Sequence, residues 1–464
     1  MRKLIFLIAV AAWAEKAPTP KPNVSVPAQF RNQPAGSEKQ AGEEWWKAFH
    51  DPLLDELMDR AATANLDVRK AATRVSEAEA ARKGSRSSLL PSLDGTNSDT
   101  RLRGGINQGI VHVGNTPGSG NFVSPFETGV ISGGFNMRWE LDLFGGLRKS
   151  LKASDADARA AEFAVRDMRV VVRAEVARNY IEMRGLEEQI RIVQANFASE
   201  KELLDLIRAR ADAGLATGLD VERQIAQLAS VHAVLPDLDS QRLAAVHRIG
   251  VLLGGDPTAL ADRLETKAGA LETPPVPLAV PSEVLKQRPD LRRADAQIEA
   301  AFQRAGSARA DLYPKFVITG LSGRQATDLS GLTLGGGNFF SVGPGITLPI
   351  FNGGRIRANI AVQDARMQEA VRTYEEDVLA AFEETENAFV THDRAEQRKR
   401  DLETALESAK RSIDLSQDLY LHGLGDFLAV LDAQRQAFQI ERDLAACQTN
   451  LLRITVALHK ALGE

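Results

Sequence analysis

The side chains best able to do chemistry in this sequence do not stand in patterns that perform it. Seven histidines, at positions 50, 112, 232, 247, 392, 422 and 459, are scattered without metal-ligand spacing. The single cysteine, Cys447, lies in a helical pattern and excludes a disulfide framework or a thiolate cluster. There is no nucleophile elbow, dinucleotide fingerprint, phosphate loop or paired-histidine metalloprotease motif. Acidic pairs such as Glu383-Glu384 read as solvated helix faces. His422, beside a glycine turn, carries an imidazole that titrates where a pH sensor works, although an exposed polar residue is the plainer reading. The sequence predicts no enzyme, no metal and no cofactor. With 57 basic and 62 acidic residues the net charge is −5, and no basic footprint for nucleic acid is present.

Without a reactive constellation, what the chain positions must be surface and shape. Its start, Met1-Arg2-Lys3, then apolar Leu4 to Ala11, then small-x-small Ala12-Trp13-Ala14, reads as a signal peptide over residues 1–14. The longest apolar run, Leu4 to Ala14, is too short to cross a bilayer as a helix. Residues 15–50 are expected to be an extended N-terminal segment.

The rest repeats itself. Asn65-Leu66-Asp67-Val68-Arg69-Lys70-Ala71 meets Arg288-Pro289-Asp290-Leu291-Arg292-Arg293-Ala294 at a shift of 223, and the match runs on without a gap to Pro91/Pro314. Lys201 to Gly254 overlays Lys410 to Gly463 at a shift of 209, aligning Gly214/Gly423, Leu215/Leu424, Leu219/Leu428 and Gln227/Gln436. Two copies of one unit are predicted, residues 51–254 and 288–464, with the proline-rich 255–287 as an irregular connection.

Each unit reads as helix, strand pair, very long helix, turn, helix. Residues 51–88 carry helical spacing, and Pro91 ends them. Strands are expected within 93–143 and 315–350. The clearest alternates Phe135, Met137, Trp139, Leu141 and Leu143 with Asn136, Arg138, Glu140 and Asp142; its counterpart runs from Val342 to Ile350. Residues 106–127 and 324–338 are Gly-, Asn- and Ser-rich and read as exposed loops. The long helices, 147–212 and 355–421, would each be roughly 100 Å long at about 1.5 Å per residue. Leu186, Ile190, Val193, Phe197, Leu204, Ile207 and Ala211 form a heptad seam with Glu200 as its polar member. Gly214 and Gly423 break the helices at tips 213–220 and 422–429, and the chain returns over 219–253 and 428–462.

Four amphipathic strands in an exported chain without a membrane helix suggest an outer-membrane barrel. Four strands cannot close one, because about eight is the smallest found in membranes. Eight strands leave an interior that side chains fill; twelve, from three chains, leave a lumen. The predicted fold is mainly α with a membrane β part. Three copies would form a 12-stranded β-barrel continuous with a periplasmic barrel of coiled-coil hairpins.

Four stretches together resemble the outer-membrane factors of the TolC type, in the branch serving RND multidrug efflux pumps. They are Trp45-Trp46-Lys47-Ala48-Phe49 with Asp51-Pro52-Leu53; Arg288-Pro289-Asp290-Leu291; Leu312-Tyr313-Pro314; and Gly423 with Val430-Leu431-Asp432-Ala433-Gln434. The resemblance covers residues 44–463. It implies a homotrimeric exit duct in outer-membrane lipid, docking a periplasmic adaptor (membrane fusion) protein and, through it, an inner-membrane RND-type pump that supplies the energy. It implies adaptor docking at Gly214, Leu215 and Ala216 and at Gly423, Leu424 and Gly425, where helix capping alone is the competing explanation. It implies a periplasmic gate at Asp220 and Tyr420, and an acidic ring from Asp432. Two positions depart from that pattern: Gly425 stands where a basic partner is expected, and Ala429 where a second acidic ring is. No cysteine follows the signal peptide, so a lipid anchor is not expected. In the barrel Phe135, Met137 and Trp139 would face lipid, and Asn136, Arg138 and Glu140 the lumen. A duct of the same fold for protein secretion or metal-ion export stays open, as does a soluble periplasmic coiled-coil scaffold, against which the strand alternation argues.

Overall fold

The computed structural model describes residues 22–33, 42–103, 127–264, 271, 274–276, 280–327 and 337–464. The signal peptide expected at 1–14 lies outside them. In chain order the elements are a 3-10 stretch, Gly42–Phe49; α1, Pro52–Ala64; α2, Leu66–Ser87; β1, Ser92–Arg103; β2, Glu127–Leu141; and α3, Gly146–Asp212. Then follow α4, Gly218–His232; α5, Leu235–Leu252; α6, Ala261–Leu264; α7, Pro281–Gln287; α8, Pro289–Ala310; β3, Lys315–Ala326; β4, Gly337–Thr347; α9, Arg355–Leu421; and α10, Phe427–Leu462. The fold is mainly helical with one small antiparallel sheet. The described residues divide into two compact units. One holds Glu77–Ala158 and Ala296–Val371; the other holds Pro22–Ser76, Arg159–Asp295 and Arg372–Glu464.

The first unit carries the sheet, in the order β1-β2-β3-β4, every neighbouring pair antiparallel. Register sorts its two faces. Leu141, Phe316 and Ile346 stand opposite one another, then Trp139, Ile318 and Pro344, then Leu93, Met137, Gly320 and Val342. The other face presents Ser92, Arg138, Thr319 and Gly343 in one row and Asp94, Asn136, Leu321 and Ser341 in the next. Side chains opposite each other share a face, so over these rows one side is apolar and the other mostly polar, while Asn97, Arg324 and Asn338 continue the first side toward the far end of the strands. Gly134 faces Gly323 across β2 and β3, and a Cβ on either would fall 2.8 Å from the other's Cα. Below β2 the chain turns because Asp142 accepts from the amides of Leu147 (3.2 Å) and Arg148 (2.8 Å), filling orphan donors at the start of α3. Phe144 stacks on Tyr313 at 4.7 Å, and ion pairs Arg82–Asp155, Arg304–Asp157 and Arg309–Asp364 join the helices of this unit.

The second unit holds the larger core, with Trp45, Trp46, Phe49, Leu54, Leu57 and Met58 packed on Val176, Tyr180 and Ile181. Asp51 caps α1 through the amide of Leu53 and accepts from the Tyr180 hydroxyl at 2.5 Å. Arg184 donates to that hydroxyl in turn. Burial raises the Tyr180 pKa, so the phenol stays a donor to Asp51. Arg288 pins three elements: it pairs with Asp290 (2.7 Å) and Glu384 (3.0 Å) and donates to the carbonyl of Ala461 (2.8 Å).

Several boundaries differ from the sequence expectations. The helix expected over 51–88 is two helices, because Asn65 caps a new start by accepting from Asp67 and Val68 while donating to Leu252. The segment expected to be extended to residue 50 becomes a 3-10 stretch from Gly42, anchored by its buried tryptophans. The connection at 255–287 contains α6 and α7. Strand β4 lies at Gly337–Thr347, so Leu348 and Ile350 fall beyond it, around Pro349, which lacks an amide donor. Of the stretches expected to be loops, 106–126 and 328–336 lie outside the described residues, while 127, 324–326 and 337–338 are strand. The helical return after the first tip is interrupted between α4 and α5, where Pro236 sits in the first turn of α5.

Candidate functional site

Two helix tips in the second unit gather most of the residues singled out by sequence. Both close in the same way. After α3, Gly214 takes φ +71; the amide of Leu215 donates to Arg210 O (2.8 Å) and that of Gly214 to Ala211 O (3.0 Å). After α9, Gly423 takes φ +71; Leu424 donates to Leu419 O (2.9 Å) and Gly423 to Tyr420 O (3.1 Å). This is the paired-bond glycine closure of a helix end, and its left-handed residue favours glycine. Each closure leaves a leucine on the outside: Leu215 is 65% exposed and Leu424 78%.

The first tip is polar where it re-enters a helix. Thr217 caps α4, and Asp220 reaches back to the amide of Thr217 (3.0 Å) and accepts from its hydroxyl (2.7 Å), a reciprocal capping box. Asp220 is buried by this arrangement. The second tip is apolar at the equivalent depth. Tyr420 packs with Phe427, Leu203, Ile207 and Val430, with Ala216 and Val221 alongside. Burial first, then the negative charge of Asp220, push the Tyr420 phenol pKa up, against Arg210 acting the other way. Asp220 and Tyr420 are therefore brought into electrostatic range of each other.

Asp432 is not part of that group. It is exposed on α10 and makes no ion pair among the described residues. His422 is exposed too, its Nδ1 2.8 Å from the carbonyl oxygen of Asp418. Gly425 has a packing reason to be small: a Cβ there would stand 3.1 Å from Leu419 Cβ.

Sequence reasoning missed Arg210. Its guanidinium lies 5.1 Å from the centroid of the Tyr420 ring and donates to Leu421 O at 3.4 Å, tying the first tip to the second. In the sequence it is only a basic residue in a last helical turn, where the helix dipole already favours one. On the sheet, Phe135, Met137 and Trp139 share the apolar face by register; Phe135 is exposed, and Trp139 donates from Nε1 to Leu89 O at 3.0 Å. The described residues hold no cluster of metal-ligating side chains.

Long helices closed by paired glycine tips, together with an amphipathic antiparallel sheet, define a class: the profile of the outer membrane efflux protein family matches residues 57–255 and 280–464, and the chain belongs to that family. It is an outer-membrane efflux protein, in a family of ducts and not of enzymes. Among its relatives is the pyoverdine export outer membrane protein OpmQ of Pseudomonas aeruginosa, 30% identical over all of this chain and 97% of its own length. The solvent efflux pump outer membrane protein SrpC of Pseudomonas putida is 31% identical over 89% of this chain and 86% of its own. Among solved structures, the outer-membrane channel OprN superposes with a TM-score of 0.86 at 30% identity, covering 96% of this chain and 98% of that one. The CmeC channel of Campylobacter jejuni, at 23% identity and a TM-score of 0.84, shares the fold.

Proposed function

We propose that three copies of this chain assemble into one outer-membrane duct, the passive exit of a tripartite efflux system. The observation that carries this reading is the sheet. Its four strands alternate in direction, and β1 and β4 are its edges. Setting β4 of one copy beside β1 of the next continues the antiparallel order, so copies add without a defect. Three copies give twelve strands, enough for a lumen. The apolar face with Phe135, Met137 and Trp139 then meets lipid, and Asn136, Arg138 and Glu140 line the passage.

In this reading the tips stand at the periplasmic end. Gly214, Leu215 and Ala216, and Gly423, Leu424 and Gly425, offer exposed leucines on small-residue turns to an adaptor's helices. The adaptor joins the duct to an inner-membrane RND-type pump. Asp220 and Tyr420 act at the gate, and three exposed copies of Asp432 form a negative ring that favours cations over anions. Relatives named for pyoverdine export and for solvent efflux support export of small organic molecules as the task.

The test is native mass in detergent of protein extracted from the outer-membrane fraction. Three chains of 50.4 kDa, less the signal peptide, are expected. A monomer or dimer released without detergent would remove the shared barrel and the duct with it.

A further inference from the structure

One carboxylate in the second unit is buried where the heptad seam should be apolar. Glu200 of α3 is 1% exposed. Gln224 of α4, fully buried, donates from Nε2 to Glu200 O (3.0 Å) and to Glu200 Oε2 (2.5 Å). Gln227, one turn along α4, accepts from Arg435 Nε of α10 at 2.7 Å. These four side chains form a polar layer across three helices, behind the hydrophobic cluster of the tips.

The layer has one mismatch. Gln224 Oε1 is buried and has no hydrogen-bond partner among the described residues. An ionised carboxylate only accepts, so it leaves that oxygen without a donor; a neutral carboxylic acid carries the missing O–H. Leaving a buried acceptor unpaired is costly, which favours the protonated form. Burial pushes the Glu200 pKa up as well, against the amides of Gln224 and Gln227 and the charge of Arg435. The groups facing Glu200 are thus neutral amides from α4 and a single guanidinium from α10.

We propose that Glu200 is a proton-operated latch of the first tip: as the neutral acid it clasps Gln224 and holds α4 on α3, and as the carboxylate it turns toward Arg435 of α10 and releases α4. The chemistry is one proton leaving the Glu200 carboxyl for solvent, with no other bond broken. The sign follows from the direction of the shift. The folded tip binds this proton more tightly than the open one, so the clasp is complete below the ordinary glutamate range. It is lost as pH rises through the raised value of Glu200. Opening of the first tip should therefore increase with pH, while the second tip, whose α10 contributes only Arg435 to the layer, responds much less. The consequence for export rests on the reading of the tips as the docking and gating end; the latch itself does not.

The experiment is hydrogen exchange, corrected for the intrinsic pH dependence, on the full-length protein in lipid nanodiscs. It compares peptides from 218–232 with peptides from 427–440. The wild type should lose protection several-fold in 218–232 as pH rises, with little change in 427–440. Glu200→Gln, whose amide can donate to Gln224 Oε1 at every pH, should stay protected throughout. Identical pH profiles for wild type and Glu200→Gln overturn the proposal. Should Glu200→Gln not assemble, an infrared titration of wild type labelled in glutamate alone decides. Burial pushes the Glu200 carboxyl up. A carboxylic-acid carbonyl band surviving above the ordinary glutamate range supports the latch, and its absence overturns it. Because neither readout involves export, failure of the latch and failure of the duct reading are told apart.

Discussion

The two tips share a closure and differ in everything behind it. Gly214 and Gly423 have the same φ, the same pair of backbone bonds and the same exposed leucine after them. Behind the closure the first tip buries Asp220 in a capping box and, about four turns back along α3, Glu200 in a polar layer, while the second buries Tyr420 and Phe427. Both tips keep what the backbone requires, since a left-handed residue ends each long helix. The side chains facing the partner hairpin are free to diverge, because a tip needs only complementarity to its neighbour. Arg210 is where they meet: it belongs to the polar tip and lies over the aromatic of the other. In chemical terms the first tip buries acidic side chains and the second buries aromatic ones.

The largest expected effect removes what the tips share. Deleting residues 213–216 or 422–425 should abolish export in cells while leaving the detergent-extracted mass unchanged. Export surviving either deletion would break the docking assignment. Next come Gly214→Val and Gly423→Val. No atom lies within 4 Å of a Cβ built at either glycine, so the cost is backbone strain alone. It should be about 1–2 kcal/mol at each site, and equal for the two. Unequal losses of exchange protection beside the two sites would show that the closures are not equivalent.

How far this contrast could be read in advance depends on where each partner sits in the chain. The long helices and both glycine turns were legible, because Gly, Pro and unbroken helix formers act locally. So was β2, whose apolar residues alternate from Phe135 to Leu141. Strand β1 was faint: Ser92 to Arg103 is mostly polar and small, and it becomes a strand by pairing with β2. The break at Asn65 was hidden between two Ala-rich helical patterns, and its capping amide needs Leu252, far along the chain, as acceptor. In the site, Asp220 and Tyr420 came from resemblance, and the structure brings them together; Asp432 it leaves apart on the surface. Glu200 stood out as a polar residue in an apolar seam, but its partners lie on α4 and α10, and only the fold brings them to it. Arg210 carried no signal, since its ring partner is in the other repeat.

Breaking the link between the tips should cost less than straining either one. Arg210→Met keeps the aliphatic stem over Tyr420 and removes the charge and the bond to Leu421 O. A cation over an aromatic ring is worth about 0.5–1 kcal/mol at an accessible site. The expected result is a modest, matched loss of exchange protection at both tips. The Tyr420 phenol should also move further up, because Arg210 is the group holding it down. Ultraviolet titration of tyrosine ionisation against the wild type measures the latter. A loss confined to the first tip would mean that Arg210 serves only its own helix end.

The smallest effect should be the difference between the two re-entries. Thr217→Ala removes the side-chain half of the reciprocal cap on α4 and the hydroxyl's bond to Asp220, leaving that carboxylate held only by the backbone amide of residue 217. Asp426→Ala removes a single bond, to the amide of Leu428 at 3.2 Å, from an exposed carboxylate. Losing a Ser, Thr or Asp cap typically costs about 1 kcal/mol, with the isolated, solvated case at the low end. Thr217→Ala should therefore destabilise α4 more than Asp426→Ala destabilises α10, which is also a longer helix with a large buried face to hold its start. Thr217→Ala should in addition loosen Asp220 from its buried place beside Tyr420, so its effect should reach the second tip. Exchange protection in 218–232 and 427–440, compared between the two variants, gives the order. Equal losses confined to each variant's own helix would reduce the difference between the tips to Glu200 and Tyr420 alone.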